Sequence, residues 1–228
     1  MIKAVLFDVA NVIIPWDPRN LYDHLITEAS ERDHFLNAVI TRSWHERHDA
    51  GITFAENRIE LMSRYPEHQA HILAWGDRFL EMFGPPISGT VGLIERLNAE
   101  QVPLFGLTNM PLEVWDGVRA MSPAFDAFAD IIVSGQEGVI KPSREIFEIA
   151  LNRMSQTPDQ VLFVDDTAVN VDAAHNLGFK THLFTTTEEL EAELLRNGLL
   201  ISEGASRFKN VASPDKLFSE ATPQQALP

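Results

Sequence analysis

The chain of 228 residues contains no cysteine, which excludes disulfides, thiolate metal sites and a cysteine nucleophile together. Any metal must then be held by carboxylate, histidine or backbone oxygen, a donor set suited to a hard cation. Cationic residues are scarce as well: 18 Lys and Arg stand against 33 Asp and Glu, a formal net charge of -15. A surface of that sign repels nucleic-acid backbones and anionic lipid head groups, so neither nucleic acid nor membrane is an expected partner. A small phosphorylated substrate stays compatible, because one bound cation and one local Lys can dominate the field inside a cleft. Long apolar runs are also missing, and MIKAVLFD passes into charged sequence with no signal-peptide pattern. A cytoplasmic protein is expected, its oligomeric state left open.

What is present is enough apolar sequence, 45% of residues, for one or two domains with a substantial core. KAVLF, VPLFGLT, DIIVS and VLFVD read as buried strands, with KTHLF as a fifth. Between them TVGLIERLNAE, REIFEIALNRM and VNVDAAHNL carry helical periodicity, the last closed by Gly178. Alternating strand and helix predicts an α/β fold, a Rossmann-like three-layer parallel sheet whose ligands bind outside the carboxyl ends of the strands.

Residues 15–88 break the alternation. Asp17 with Pro18 marks a helix start and Thr53 with Glu56 a capping box, while LYDHLITEA, HFLNAVITRSW, FAENRIELM and ILAWGDRFLEMF all read as helix. The expected layout is a core of residues 1–14 and 89–201, an inserted all-helical segment 15–88, and a tail 202–228 of weak periodicity.

In a parallel sheet the strand ends share one edge. Asp8, Thr108 with Asn109, Lys141, and Asp165 with Asp166 therefore collapse into a single crevice. Each alone has a bland explanation as a turn or cap residue. Together, three crowded acids would resist ionisation unless a cation sat among them, which points to an oxygen-ligand site.

The ordered set FDVAN, LTN, IKP and FVDDTAVN resembles the haloacid dehalogenase superfamily over roughly residues 1–190. That family carries a helical cap inserted after the first strand, where 15–88 falls. The resemblance implies a Mg2+-dependent phosphatase in which Asp8 attacks phosphorus. It implies metal ligands at Asp8, the Ala10 carbonyl and Asp166, with Asp165 beside them and Asn170 acting through water. By the same resemblance Thr108, Asn109 and the amides that follow hold the phosphoryl oxygens, and Lys141 pairs with both the phosphoryl group and Asp8.

One departure stands out. Phosphatases of the superfamily usually place a second Asp two residues after the nucleophile, where this chain has Ala10. General acid catalysis is worth about 10²- to 10⁴-fold, so its loss costs rate or is compensated. A phosphonate hydrolase, which also carries Ala there, needs a cap lysine, and residues 15–88 contain none. A metal-free 2-haloacid dehalogenase and a catalytically silent scaffold remain as alternatives. FDVANVII resembles the start of sugar-1-phosphate phosphatases, whose leaving group asks for little protonation, with Asn11 shaping the loop.

In the insert, WHERHDAG reads as a polar helix face ending at Gly51, though its imidazoles could contact substrate or serve as a surrogate acid. Trp44, Arg47 and Arg19 are candidate cleft-lining residues. Trp75, Phe79 and Phe83 read as core.

Overall fold

A computed structural model of the chain describes residues 1–201, so the expected tail 202–228 lies outside the described residues. Five strands form one parallel sheet: β1 (Ala4–Phe7), β2 (Leu104–Thr108), β3 (Asp130–Val133), β4 (Val161–Asp165) and β5 (Lys180–Leu183). Their spatial order is β3-β2-β1-β4-β5. The chain thus winds outward from β1 in one direction, returns, and winds out in the other. This makes the edge beside β1 the switch point at which a parallel sheet opens a crevice.

Alternation along each strand splits the core in two. Val5 and Phe7 of β1 face one apolar layer with Leu104, Leu162 and Val164. Ala4 and Leu6 face the other with Phe105, Leu107, Ile146, Phe147 and Phe179. All of these side chains are buried, each large one contributing roughly 1.5–3 kcal/mol. The second layer is built by α9 (Arg144–Met154) and α10 (Ala168–Asn176), and Gly178 after α10 has φ +94°, the conformation expected of a helix stop. The first is covered by α6 (Ser88–Ala99) and α11 (Thr187–Arg196) and by the helical insert.

The insert comprises α1 (Arg19–Leu25), α2 (Ala29–His34), α3 (Arg42–Asp49), α4 (Phe54–Arg64) and α5 (Gln69–Asp77). Asp17 Oδ1 accepts from the Arg19 amide at 2.8 Å, and Thr53 with Glu56 forms the expected capping box. Two segments depart from the continuous helix their periodicity predicts. Residues 34–44 pass through a π turn at Phe35–Val39 and stop at Ile40, because Thr41 takes extended backbone and its hydroxyl accepts from the Trp44 amide, starting α3 afresh. After Asp77 the chain tightens to a 3-10 turn at Phe79–Met82. The chain leaves and re-enters the core side by side: the Asp17 amide donates to Met82 O at 3.0 Å and the Gly84 amide to Pro15 O at 2.9 Å. No helix of the described residues is long and apolar enough to cross a membrane.

Candidate active site

Parallel register brings the strand ends level, and the polar residues follow directly. Asp8 comes one residue after β1, its amide donating to Val164 O at 2.8 Å. Thr108 closes β2 and Asp165 closes β4. Lys141 does not follow β3 directly as the sequence predicts; a short turn of helix, α8 (Ser134–Glu137), and a loop intervene. The loop is fixed by a reciprocal pair, in which the Lys141 amide donates to Asn109 Oδ1 at 2.8 Å and Asn109 Nδ2 donates to Lys141 O at 3.0 Å. Asn109 is thereby a brace for Lys141 and not a helix cap.

Buried Lys141 Nζ reaches Asp8 Oδ1 at 2.9 Å, Asp165 Oδ2 at 2.8 Å and Leu107 O at 2.9 Å. Asp165 is 0% exposed and both its oxygens are committed. Oδ1 accepts from the Thr167 amide at 2.8 Å, and Asn170 Nδ2 donates to both oxygens at 3.1 Å. Asp165 therefore positions Lys141 and Asn170, while half-buried Asp166 faces the cavity. Asp8 Oδ1 also accepts from the Val9 amide at 2.7 Å, which leaves Oδ2 uncommitted.

Charge in this network does not balance. Burial raises the Asp8 pKa well above the ordinary carboxylate value, and Asp165 and Asp166 push the same way against Lys141. Burial and then Asp165 raise Asp166 too. Lys141 is disfavoured as a cation by burial, but Asp165 and Asp8 outweigh that and hold it charged. One ammonium thus serves three carboxylates, each of which offers an oxygen within 4.8 Å of the others. A divalent cation fits that deficit.

Thr108 Oγ1 is fully buried and without a hydrogen-bond partner among the described residues, an orphan donor beside the crevice. The amides after it are less free than expected. Met110 N donates to Ser134 Oγ at 2.9 Å, and Pro111 has no N–H. Asn11 has φ +59° and its Oδ1 accepts from the Trp16 amide at 2.9 Å, which ties the loop after Asp8 to the start of the insert.

Above the acids lies a cavity of about 200 Å³, lined at its floor by Asp8, Ala10, Lys141 and Asp166. Its roof differs from the expected one. Arg19 pairs with Asp33 elsewhere, Arg47 lines a separate cavity, and Trp44 is buried within the insert. Trp16, Phe79 and Phe83 form an aromatic wall, the last two serving as core and lining at once. The remaining roof is a stripe of α3, residues Arg42, His45, Glu46 and Asp49. Their i, i+3, i+4, i+7 spacing is one helix face. The polar helix face read from WHERHDAG thus turns inward toward its end, where Asp49 is buried and His45 half-buried while Arg42 stays exposed, and His48 on the adjoining face is buried against Trp44 and Phe54 with Asn57 at 3.0 Å.

The haloacid dehalogenase-like hydrolase family model matches residues 2–178. The chain belongs to the haloacid dehalogenase-like hydrolases. Proteins similar to it include a sesquiterpene phosphatase of Aspergillus oryzae, 28% identical over 77% of this chain and 86% of that protein. A D-ribitol-5-phosphate phosphatase of Bacteroides thetaiotaomicron is 27% identical over 79% of this chain and 91% of that protein. The family fold is shared with a Bacteroides thetaiotaomicron enzyme crystallised as a magnesium complex, with a TM-score of 0.64 at 19% identity over 86% of this chain and 98% of that one. It is shared also with L-2-haloacid dehalogenase of Xanthobacter autotrophicus, TM-score 0.60 at 18% identity over 97% and 92%. Within the family, the helical insert between β1 and β2 occupies the place of the cap.

Proposed function

We propose that the chain is a magnesium-dependent phosphatase that hydrolyses a small phosphorylated metabolite through an aspartyl-phosphate on Asp8. The observation that carries this reading is the cluster of Asp8, Asp165 and Asp166 around the single Lys141 ammonium beneath the cavity, two positive charges short of balance. A carbon-displacement site gains nothing from a third acid, whereas a phosphoryl-transfer site uses it to hold a cation. The phosphatase names of relatives that span most of the chain support the same reaction class.

Asp8, the Ala10 carbonyl and Asp166 would hold the ion, with Asp165 and Asn170 behind them and only Asn170 Oδ1 free to serve it through water. When bound, Mg2+ offsets charge on the phosphoryl oxygens and keeps Asp8 ionised. Asp8 Oδ2, the uncommitted oxygen, attacks phosphorus. Lys141 holds the other oxygen of Asp8 and adds positive charge beside the reacting group. Thr108 Oγ1 supplies the phosphoryl group with the partner it otherwise lacks. A sugar 1-phosphate asks least of a loop with Ala at position 10, and the aromatic wall of Trp16, Phe79 and Phe83 supplies an apolar surface for the organic part.

The test is a panel of phosphorylated metabolites with Mg2+, run beside haloacids without it. Turnover of a phosphoester that EDTA abolishes, with Asp8 trapped by fluoroberyllate, is the expected result. Haloacid turnover without metal, or phosphoester turnover indifferent to EDTA, overturns the reading.

A further inference from the structure

Ala10 leaves a gap in the chemistry, and the cap places an acid over the same cavity. Asp49, the last residue of α3, lines the cavity with Ala10 and Asp8 yet is only 4% exposed. Its Oδ2 lies 3.4 Å from His45 Nε2, and its Oδ1 is buried with no hydrogen-bond partner among the described residues. A buried carboxyl oxygen left unpaired costs free energy that a substrate oxygen could recover. Its position is fixed from the core side: Ser134 Oγ donates to Asp49 O at 2.6 Å. Gly51 follows at φ +94°, where a Cβ would meet Gly135 O at 2.9 Å, so the end of α3 is pressed onto α8.

We propose that Asp49, reaching down from the cap, gives the departing oxygen of the substrate the proton that Ala10 cannot supply. The proposal rests on the phosphatase function argued for this cavity. In the first step the Asp8 Oδ2–P bond forms and the P–O bond to the organic group breaks. The proton of the Asp49 carboxyl passes to that oxygen, so an alcohol leaves and Asp49 becomes a carboxylate. In the second step water attacks phosphorus, its proton passes to Asp49, the P–O bond to Asp8 breaks, and inorganic phosphate departs with both carboxyl groups restored.

The surroundings suit both protonation states. Burial, then Glu46, raises the Asp49 pKa to about 7 against the pull of Lys141, so the acid form is populated near neutrality and the carboxylate that follows is stabilised by Lys141. His45 is not a competing donor, since burial, His48 and Arg42 lower its pKa to about 3 and leave its imidazole ring neutral beside the carboxyl. The other charged groups facing the cavity are Asp8, Asp166 and Arg42, the last paired with Glu46 at 2.7 Å. With Asp49 in this role the site is not confined to esters of activated oxygens.

The test compares Asp49→Asn with the unaltered protein on two esters with Mg2+: p-nitrophenyl phosphate, whose nitrophenolate leaves without a proton, and n-hexyl phosphate, whose alkoxide does not. The readout is kcat/KM, which reports steps through departure of the alcohol. The expected loss is about 10²- to 10⁴-fold on hexyl phosphate and far smaller on the nitrophenyl ester. Equal losses on both, or none on hexyl phosphate, overturn the proposal. Should the variant not fold, the pH profile of the unaltered protein decides: kcat/KM on hexyl phosphate falls above about pH 7 while the nitrophenyl profile lacks that limb, and superimposable profiles overturn it. If the unaltered protein hydrolyses neither ester nor any phosphorylated metabolite, the phosphatase reading itself fails and this proposal with it.

Discussion

Replacing Asp49 by Asn should stabilise the fold, and by an amount that depends on pH. Burial first, then Glu46, lifts its carboxyl from 3.8 to about 7. Between those values the folded protein keeps a proton that the unfolded chain has released. The sign follows: stability is greatest on the acid side and falls as pH rises, by up to about 1.4 kcal/mol per pH unit, reaching a loss of roughly 4 kcal/mol. An amide does not titrate and escapes that loss. From about pH 5 to about pH 7 the variant should gain roughly 2 kcal/mol on the unaltered protein, with little further gain above about pH 8. Asp8 and Asp166 titrate in both proteins and cancel in the difference. Urea unfolding of both proteins across this range, comparing midpoints at equal m-values, measures it. Two stability curves that run parallel would refute the argument that burial holds the Asp49 proton. A variant more stable yet slower on alkyl phosphates is what a functionally strained position produces.

Lys141→Met removes the one ammonium between Asp8 and Asp165, leaving buried carboxylates unpaired. A loss of roughly 3–5 kcal/mol of stability is expected, with turnover down at least about 10²-fold; wild-type stability by urea unfolding would show the pair contributes nothing. Gly51→Ala forces a side chain into a left-handed backbone at φ +94° against Gly135 O. It should cost at least about 1–2 kcal/mol and lower kcat/KM on hexyl phosphate more than on the nitrophenyl ester, because Asp49 lies two residues away; an unchanged melting temperature and ester ratio would count against the tight seat of α3.

The sheet was legible in the sequence because each strand is a short apolar run closed by a polar cluster, and a parallel sheet leaves little freedom in where those ends meet. Asp8, Thr108, Asp165 and Asp166 follow from that alone, whereas Lys141 arrives by way of α8 and a loop braced by Asn109. The division of labour between the two adjacent acids was not legible. It depends on Asn170 and the Thr167 amide closing over Asp165, which is tertiary detail. The roof of the cavity was missed for a different reason. Polar residues on a helix ordinarily mean solvent, and the stripe at 42, 45, 46 and 49 carries the spacing of a buried face in the residue types of an exposed one. The residues read as cleft-lining, Trp44 and Arg47, sit one register off that stripe. Similarly, helical periodicity ran through Ile40 and Thr41 because a capping hydroxyl inside a long pattern is weak evidence until its amide partner is seen.

Ser134 joins two parts of the molecule through a single oxygen: it accepts from Met110 on the loop after β2 and donates to the last carbonyl of α3. Displacing that loop therefore displaces the hydroxyl that holds the end of α3. A substitution that removes the Ser134 hydroxyl would release the loop and the helix end together.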